Sequence, residues 1–541
     1  MKKLVAILLS LSFVLACACT SETEETKKKK KKKKTEKTTT EETTDDTEPS
    51  ESPTETEETT TEPTTTAVPI STDFVITDGI LNSLECYYSP YFRSYGELDA
   101  NDTDEPIFPK SVQLFYDDLY ISVNGFDELD EMLYDVFGEK LTAADEYFDE
   151  KLDDMMDEKE AGKPMSSAFL QGNVTLMRAD SQIFSFAIEE TYVYEDLKMN
   201  ETYNYRSEDG SEIALTDVVV DLDAFADYVE SYLANTTYSA SASTLKNDIK
   251  IGNANFLLSY DAIFLEDHLS SNYMIDYIKI PVYDLVGVVD FSYFGSTPSY
   301  YTLFADANDT LVWDFDGDGT LDVFTLTATS NQYDYLESIS IDYNGSSYKL
   351  DDSLFEDLYG GYDTYFFMQT DTGLFLYINC WEEDGYSCSY CFKMNDMLNP
   401  EYITFLGIDI EEYPCDPDFF RVGTFSDVGG TTYLEGYYSI IGCDGIPENI
   451  DSYSMRKSGV LVTNCDLVGT DADDNEVTIP AGTSVSIRAY NPGMAQIVVE
   501  ILHVDDSENE YVYLDVQSDS WPITIAGVDQ QDAFIGLFFA G

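Results

Sequence analysis

The hydrophobic pattern of the 541-residue chain changes character along its length. Residues 4–16 form an apolar run that follows Lys2 and Lys3 and ends in small residues and a cysteine. The run is shorter than the ~20 residues that span a bilayer, so it reads as an export signal and not a transmembrane helix. Residues 20–66 are almost wholly Thr, Glu, Lys, Ser, Pro and Asp. Such a segment cannot bury enough apolar surface to offset its ordering entropy, and it reads as a disordered tether. Beyond it the pattern mixes periods. Phe126, Leu129, Met132, Leu133, Val136 and Phe137 recur at three- and four-residue spacings and predict a helix over 126–159, with Gly138 as a candidate break. Leu222, Phe225, Tyr228, Val229 and Leu233 predict a second helix over 221–234. Between them, 173–194 alternates and is rich in β-formers, and 203–210 reads as a strand and turn. From 302 to 455 short strands alternate with turns, 352–358 being the longest helical stretch, and 457–541 is all β.

A chain of this length exceeds one ordinary core and predicts several domains. The divisions are a signal segment at 1–17, a tether at 18–70, an α+β domain at 71–301, a β-rich domain at 302–456 and a small all-β barrel at 457–541. Val14-Leu15-Ala16-Cys17 resembles the bacterial lipobox, which implies that Cys17 becomes the diacylated first residue of a mature lipoprotein. Cys19 is a poorer match, because its −3 position lacks a larger aliphatic residue. The location implied is the extracellular face of the cell membrane, with a tether reach of roughly 40 Å. Lys27 to Lys34 are an unbroken run of lysines near the anchored end. Each would add about 1 kcal/mol against an anionic leaflet, unless the run is merely a solvated part of the tether.

Further resemblances concern the folded part. Arg178-Ala179-Asp180-Ser181-Gln182-Ile183-Phe184-Ser185, the Tyr203–Tyr205 strand with Asp209-Gly210, Ala214-Leu215-Thr216-Asp217-Val218, Phe256-Leu257-Leu258-Ser259-Tyr260 and Ile278-Lys279-Ile280-Pro281-Val282-Tyr283-Asp284-Leu285 are similar to the extracellular domain of RsiV-like proteins, also found in peptidoglycan deacetylases of the PdaC type. These are packing patterns, and they imply a fold without an activity. Val477-Thr478-Ile479-Pro480-Ala481-Gly482-Thr483 and Tyr511-Val512-Tyr513-Leu514-Asp515-Val516 resemble strands of bacterial SH3-like modules. The acidic stretch 471–476 sits poorly with wall binding by such a module.

Charge narrows the partners. The 104 Asp and Glu against 29 Lys and Arg give a formal net charge of −75, which repels nucleic acid and favours divalent cations. The sharpest motif is Asp314-Phe315-Asp316-Gly317-Asp318-Gly319-Thr320-Leu321-Asp322. Carboxylates at positions 1, 3, 5 and 9, a carbonyl at 7 and Gly at 6 are what a hard cation taking six to eight oxygens needs from one loop. Calcium is the expected ion, with Asp314, Asp316, Asp318 and Asp322 ligating by side chain and Thr320 by its carbonyl. Thr325 stands where an EF-hand has Glu and the flanks read as strands, so the loop resembles the calcium hairpins of integrin-type (FG-GAP) repeats. It is present once.

Other constellations are incomplete. Cys388-Ser389-Tyr390-Cys391 has CxxC spacing, but in a strand residues three apart face opposite ways. A Cys380–Cys391 pairing is the disulfide considered. Only His268 and His503 are present, in different predicted domains. The reading is a non-enzymatic binding or sensing lipoprotein at the bacterial envelope, stabilised by calcium and held by its lipid anchor, with cell wall, glycan or a host protein as partner. The alternative is a carbohydrate-active enzyme or glycan-binding lipoprotein, marked by two carboxylates beneath an aromatic groove.

Overall fold

A computed structural model of the chain describes residues 73–99, 108–195, 197–267, 276–307, 309–331, 335–356, 358–382, 387–410, 415–450, 454–456, 459–503 and 510–539. The expectations for the apolar run 4–16, Cys17, Cys19, the tether, Lys27 to Lys34 and His268 fall outside these residues.

The predicted long helix is α1 (Asp127–Glu160). Leu129, Leu133, Phe137, Ala144, Phe148, Leu152 and Met155 are its buried residues, spaced so that one stripe faces a sheet. Asp127, Glu128 and Asp130 in its first turn oppose the positive end of the helix dipole. The helix runs through Gly138, so the candidate break is not used. It connects β2 (Lys110–Val123) to β3 (Ala168–Ala179), which lie parallel and therefore need a long crossover. With β1 (Cys86–Glu97), β4 (Ile183–Tyr192) and β5 (Leu197–Arg206) they form one sheet, ordered β1-β2-β3-β4-β5. Gly172 on β3 faces the ring of Tyr116, where a Cβ would sit 2.1 Å from ring carbons.

Beyond this sheet, α2 (Leu222–Leu233) starts where Asp221 accepts from the Ala224 N–H at 3.0 Å and buries Phe225, Val229 and Leu233. It packs with α3 (Ala242–Ile251) and the small sheet β6 (Phe256–Leu258), β7 (Ala262–Asp267) and β8 (Asp276–Pro281). Next come β9 (Tyr301–Asp306) and the meander β10 (Thr310–Trp313), β11 (Asp322–Ser330), β12 (Leu336–Tyr343) and β13 (Ser346–Lys349). A further antiparallel sheet orders β17 (Glu401–Leu406), β16 (Ser387–Lys393), β15 (Gly373–Glu382), β14 (Gly360–Thr370) and β9. Its alternate residues divide between two cores: Tyr365 and Phe367 enter one, Phe366 and Met368 the other. The aromatic density at 359–367 is thus mostly strand and core, although Tyr359 is exposed. Where a helix is expected at 352–358, the described residues form a 3-10 turn, Asp352–Leu354.

The largest core extends from Phe74 through α2 and α3 to Leu303, Phe324, Tyr365 and Tyr390. It crosses the division placed between 301 and 302, where β9 pairs with β14 from Asp306↔Thr364 to Tyr301↔Gln369. Lys279 is 3% exposed at its side chain and crosses the same line, donating to Asp261 and to the Phe304 carbonyl, each at 2.5 Å. Near the C-terminus, strands including Ser484–Asn491, Gln496–Ile501 and Glu510–Gln517 enclose Ile487, Ile497, Val499, Val512 and Leu514. Their sheet continues through Ser454–Arg456 to Thr432–Ser439, past the division at 456 and 457. Arg488 also reaches β1, donating to Ser94 Oγ at 2.9 Å and lying 4.8 Å over the Phe92 ring. Residues Val68–Gly541 accordingly form one compact unit. The described residues are mostly β, with few helices and several sheets.

Candidate metal centre

The acidic loop joins β10 to β11 as an antiparallel hairpin, with Trp313 opposite Asp322 at its base. This is the strand-loop-strand setting expected from its flanks. Gly317 (φ 72°) and Gly319 (φ 83°) take left-handed conformations that a side chain at those positions would strain. The turns they permit fold the carboxylates back over the loop. Asp314 accepts from the Asp318 N–H at 3.0 Å and from the Gly319 N–H at 2.9 Å, and Asp316 accepts from Asp318 N–H at 3.1 Å.

Asp314, Asp316 and Asp322 each offer a carboxylate oxygen within 4.8 Å of the others. Two oxygens sharing one calcium at about 2.3–2.6 Å lie at most about 5.2 Å apart, so the three fit a common ion of that size. The fourth predicted carboxylate differs. Asp318 is exposed and outside this trio, and its Oδ1 accepts from the Thr320 N–H at 2.7 Å. Thr320 itself is exposed.

One supporting residue, Asn344, was missed in the sequence; it acts on the predicted ligand Asp322. Asp322 is 5% exposed; its Oδ2 accepts from the Phe315 N–H at 3.0 Å, and its Oδ1 from Asn344 Nδ2 at 2.6 Å. Asn344 also accepts from the Val323 N–H at 2.9 Å, tying the β12–β13 turn to the loop. The signal was the Asn344-Gly345 dipeptide, a hairpin turn whose residues both have positive φ. Burial, the hydrogen bond to Asp322 and the charges of Asp316 and Asp318 raise the Tyr343 phenol. From the first described segment, Asp78 is raised by burial and, more weakly, by Asp314, against the bond from Thr297. Phe74 in that segment meets the Trp313 ring at 6.5 Å.

Other polar clusters are built as structure. Lys140 on α1 bridges Glu190 at 3.0 Å and Glu201 at 2.8 Å, with Tyr116 and Tyr203 bonded to those two carboxylates. The two acids are thereby engaged by a cation and phenols. A cavity of about 170 Å³ between β2, β3 and the C-terminal strands is lined by Ser94, Gln113, Leu114, Phe115, Phe169, Gln171, Gly459 and Arg488, a set without a carboxylate. His503 is exposed. Among the described residues, no helix is long and apolar enough to cross a membrane.

No family model matches the sequence, and no curated protein matches it. Solved structures of the DUF3298 family are similar to part of it. A member from Bacteroides fragilis is 15% identical with a TM-score of 0.29, covering 39% of this chain and 95% of its own. A DUF3298 family protein from Pseudomonas aeruginosa is 14% identical with a TM-score of 0.24, covering 38% of this chain and 97% of its own.

Proposed function

We propose that this chain is a bacterial surface lipoprotein, anchored through Cys17, whose folded part is a calcium-stabilised, non-enzymatic binding or sensing module at the cell envelope. The observation that carries the calcium part is the convergence of Asp314, Asp316 and Asp322 on one hairpin loop. Three carboxylates facing one another repel until a cation neutralises them, so binding stabilises the fold that assembles them. The finer domain identities belong to the same proposal. The β1–β5 region with its following helices is read as RsiV-like, and the C-terminal strands as an SH3-like barrel. The partner is the cell wall, a glycan or a host protein.

Calorimetric titration of the chain with calcium tests the site. One binding event per chain is expected, lost in Asp316→Ala; no heat above the dilution control would remove the calcium part of the reading. The anchor is tested separately by growing cells on a labelled fatty acid. Label in wild type and none in Cys17→Ser supports it, whereas equal label in both would refute it.

A further inference from the structure

We infer that Cys380 and Cys388 form a disulfide-forming pair across β15 and β16. The two residues stand directly opposite each other in the antiparallel register, between Asn379↔Ser389 and Trp381↔Ser387. Directly opposed residues have Cα atoms about 4.5 or 5.5 Å apart, according to whether they exchange ladder hydrogen bonds. Both values fall inside the roughly 4.4–6.8 Å that a disulfide spans. Both side chains point the same way: each is 2% exposed, and both enter the core that also holds Ile378 and Tyr390. The thiols already interact, since a hydrogen bond between them helps burial raise the Cys380 thiol.

Cys391 is placed differently. It enters the opposite core, and its thiol donates to the Gly445 carbonyl at 3.1 Å. The CxxC pair is therefore split between the two faces of one sheet, and Cys380 has Cys388 as its cross-strand neighbour, not Cys391.

The chemistry is thiol–disulfide exchange with an external disulfide. A thiolate at one cysteine attacks that disulfide, giving a mixed disulfide and one released thiol. The second cysteine, as thiolate, then attacks the mixed disulfide, closing the Cys380–Cys388 bond and releasing the other thiol. The pair loses two protons and two electrons; the external disulfide gains them. In the folded chain both sulfurs are shielded, and burial holds the Cys380 thiol protonated and unreactive. The bond is thus made while the strands assemble, and folding preserves whichever redox state is present. None of this depends on the membrane location proposed above.

The test refolds the full chain from denaturant in mixed reduced and oxidised glutathione, then blocks remaining thiols with N-ethylmaleimide. A Glu-specific protease cuts at Glu382 and Glu383, between the two cysteines, and cleavage after Tyr390 separates Cys388 from Cys391. The expected result in mass spectrometry is one species linking the Cys380 and Cys388 peptides, which splits on reduction and persists in Cys391→Ser. Maleimide on both Cys380 and Cys388 of the refolded wild type, or a bond from Cys380 to Cys391, would overturn the inference. Both readouts come from the wild-type chain, so neither depends on a variant folding.

Discussion

At the scale of single residues, the acidic loop divides into three carboxylates that converge and a fourth outside the trio. Asp316 belongs to the converging trio, whereas Asp318 lies outside it. Asp316→Asn is therefore expected to weaken calcium binding by an order of magnitude or more, and Asp318→Asn by less; titration of the two variants side by side checks the order. Equal losses would place Asp318 in the coordination sphere. Lys279 offers a second test. Removing one partner of a buried ion pair costs about 3–5 kcal/mol, whereas replacing both with apolar groups costs much less. Lys279→Met is expected to lose that much stability in denaturant unfolding, and Lys279→Met combined with Asp261→Leu to recover a large part of it.

Asp416 supplies a pH dependence. Burial pushes its carboxyl to about 7, against the lowering effect of the Asp418 N–H bonded to it. In the unfolded chain it releases its proton near about pH 4. The folded state therefore holds an extra proton between those values, and stability falls as pH rises through them. The contribution is complete below about pH 4 and lost above about pH 7. Asp416→Asn stays neutral throughout, so its melting temperature is expected to fall less than that of wild type over this range. Parallel curves would show that Asp416 does not titrate there.

At the scale of elements, α1 and its sheet were legible because their periods are unambiguous. Three- and four-residue spacing marked the helix, alternation marked β3 and β4, and Gly138 misled only because a lone glycine weakens a helix without breaking one held by packing. The convergence of acidic side chains on one hairpin was legible for a different reason: Asp314, Asp316 and Asp322 lie within a single short loop of the sequence. Asn344, 22 residues beyond Asp322, was not, because its role arises only when β12 and β13 fold back beside β11. Cys388 facing Cys380 was likewise hidden, since register between strands depends on the turn that joins them. At Gly172, packing gives a direct prediction. Gly172→Val drives a side chain into the Tyr116 ring and is expected to cost at least about 1–3 kcal/mol, measured by urea unfolding.

At the scale of the whole molecule, the divisions at 301 and 456 follow composition, yet the cores do not stop there. One hydrophobic cluster joins α2 and α3 to β9–β16, and one sheet runs from Thr432–Ser439 into the C-terminal strands. Composition reports what each segment contains and is blind to which segments share a core. A fragment ending at residue 301 would expose Leu257, Phe264 and Tyr277, which share a core with Phe304, Phe366 and Tyr377 of later strands, the Phe264 and Phe304 rings lying 6.1 Å apart. Such a fragment is expected to show fast amide exchange and no cooperative melt, whereas a sharp transition matching part of the full-length melt would support a domain boundary at 301.

The formal net charge of −75 means that any divalent cation reduces general repulsion, so the specific loop must be separated from screening. The most direct measurement is the melting temperature of the full chain in excess calcium, in magnesium at equal ionic strength and in chelator, beside a triple Asp314→Asn, Asp316→Asn, Asp322→Asn variant. A ligand at a hundred times its dissociation constant stabilises the folded state by about 2.7 kcal/mol. The account predicts a calcium-specific rise in wild type that the variant lacks; a midpoint unmoved by calcium, or moved equally in both chains, would contradict it.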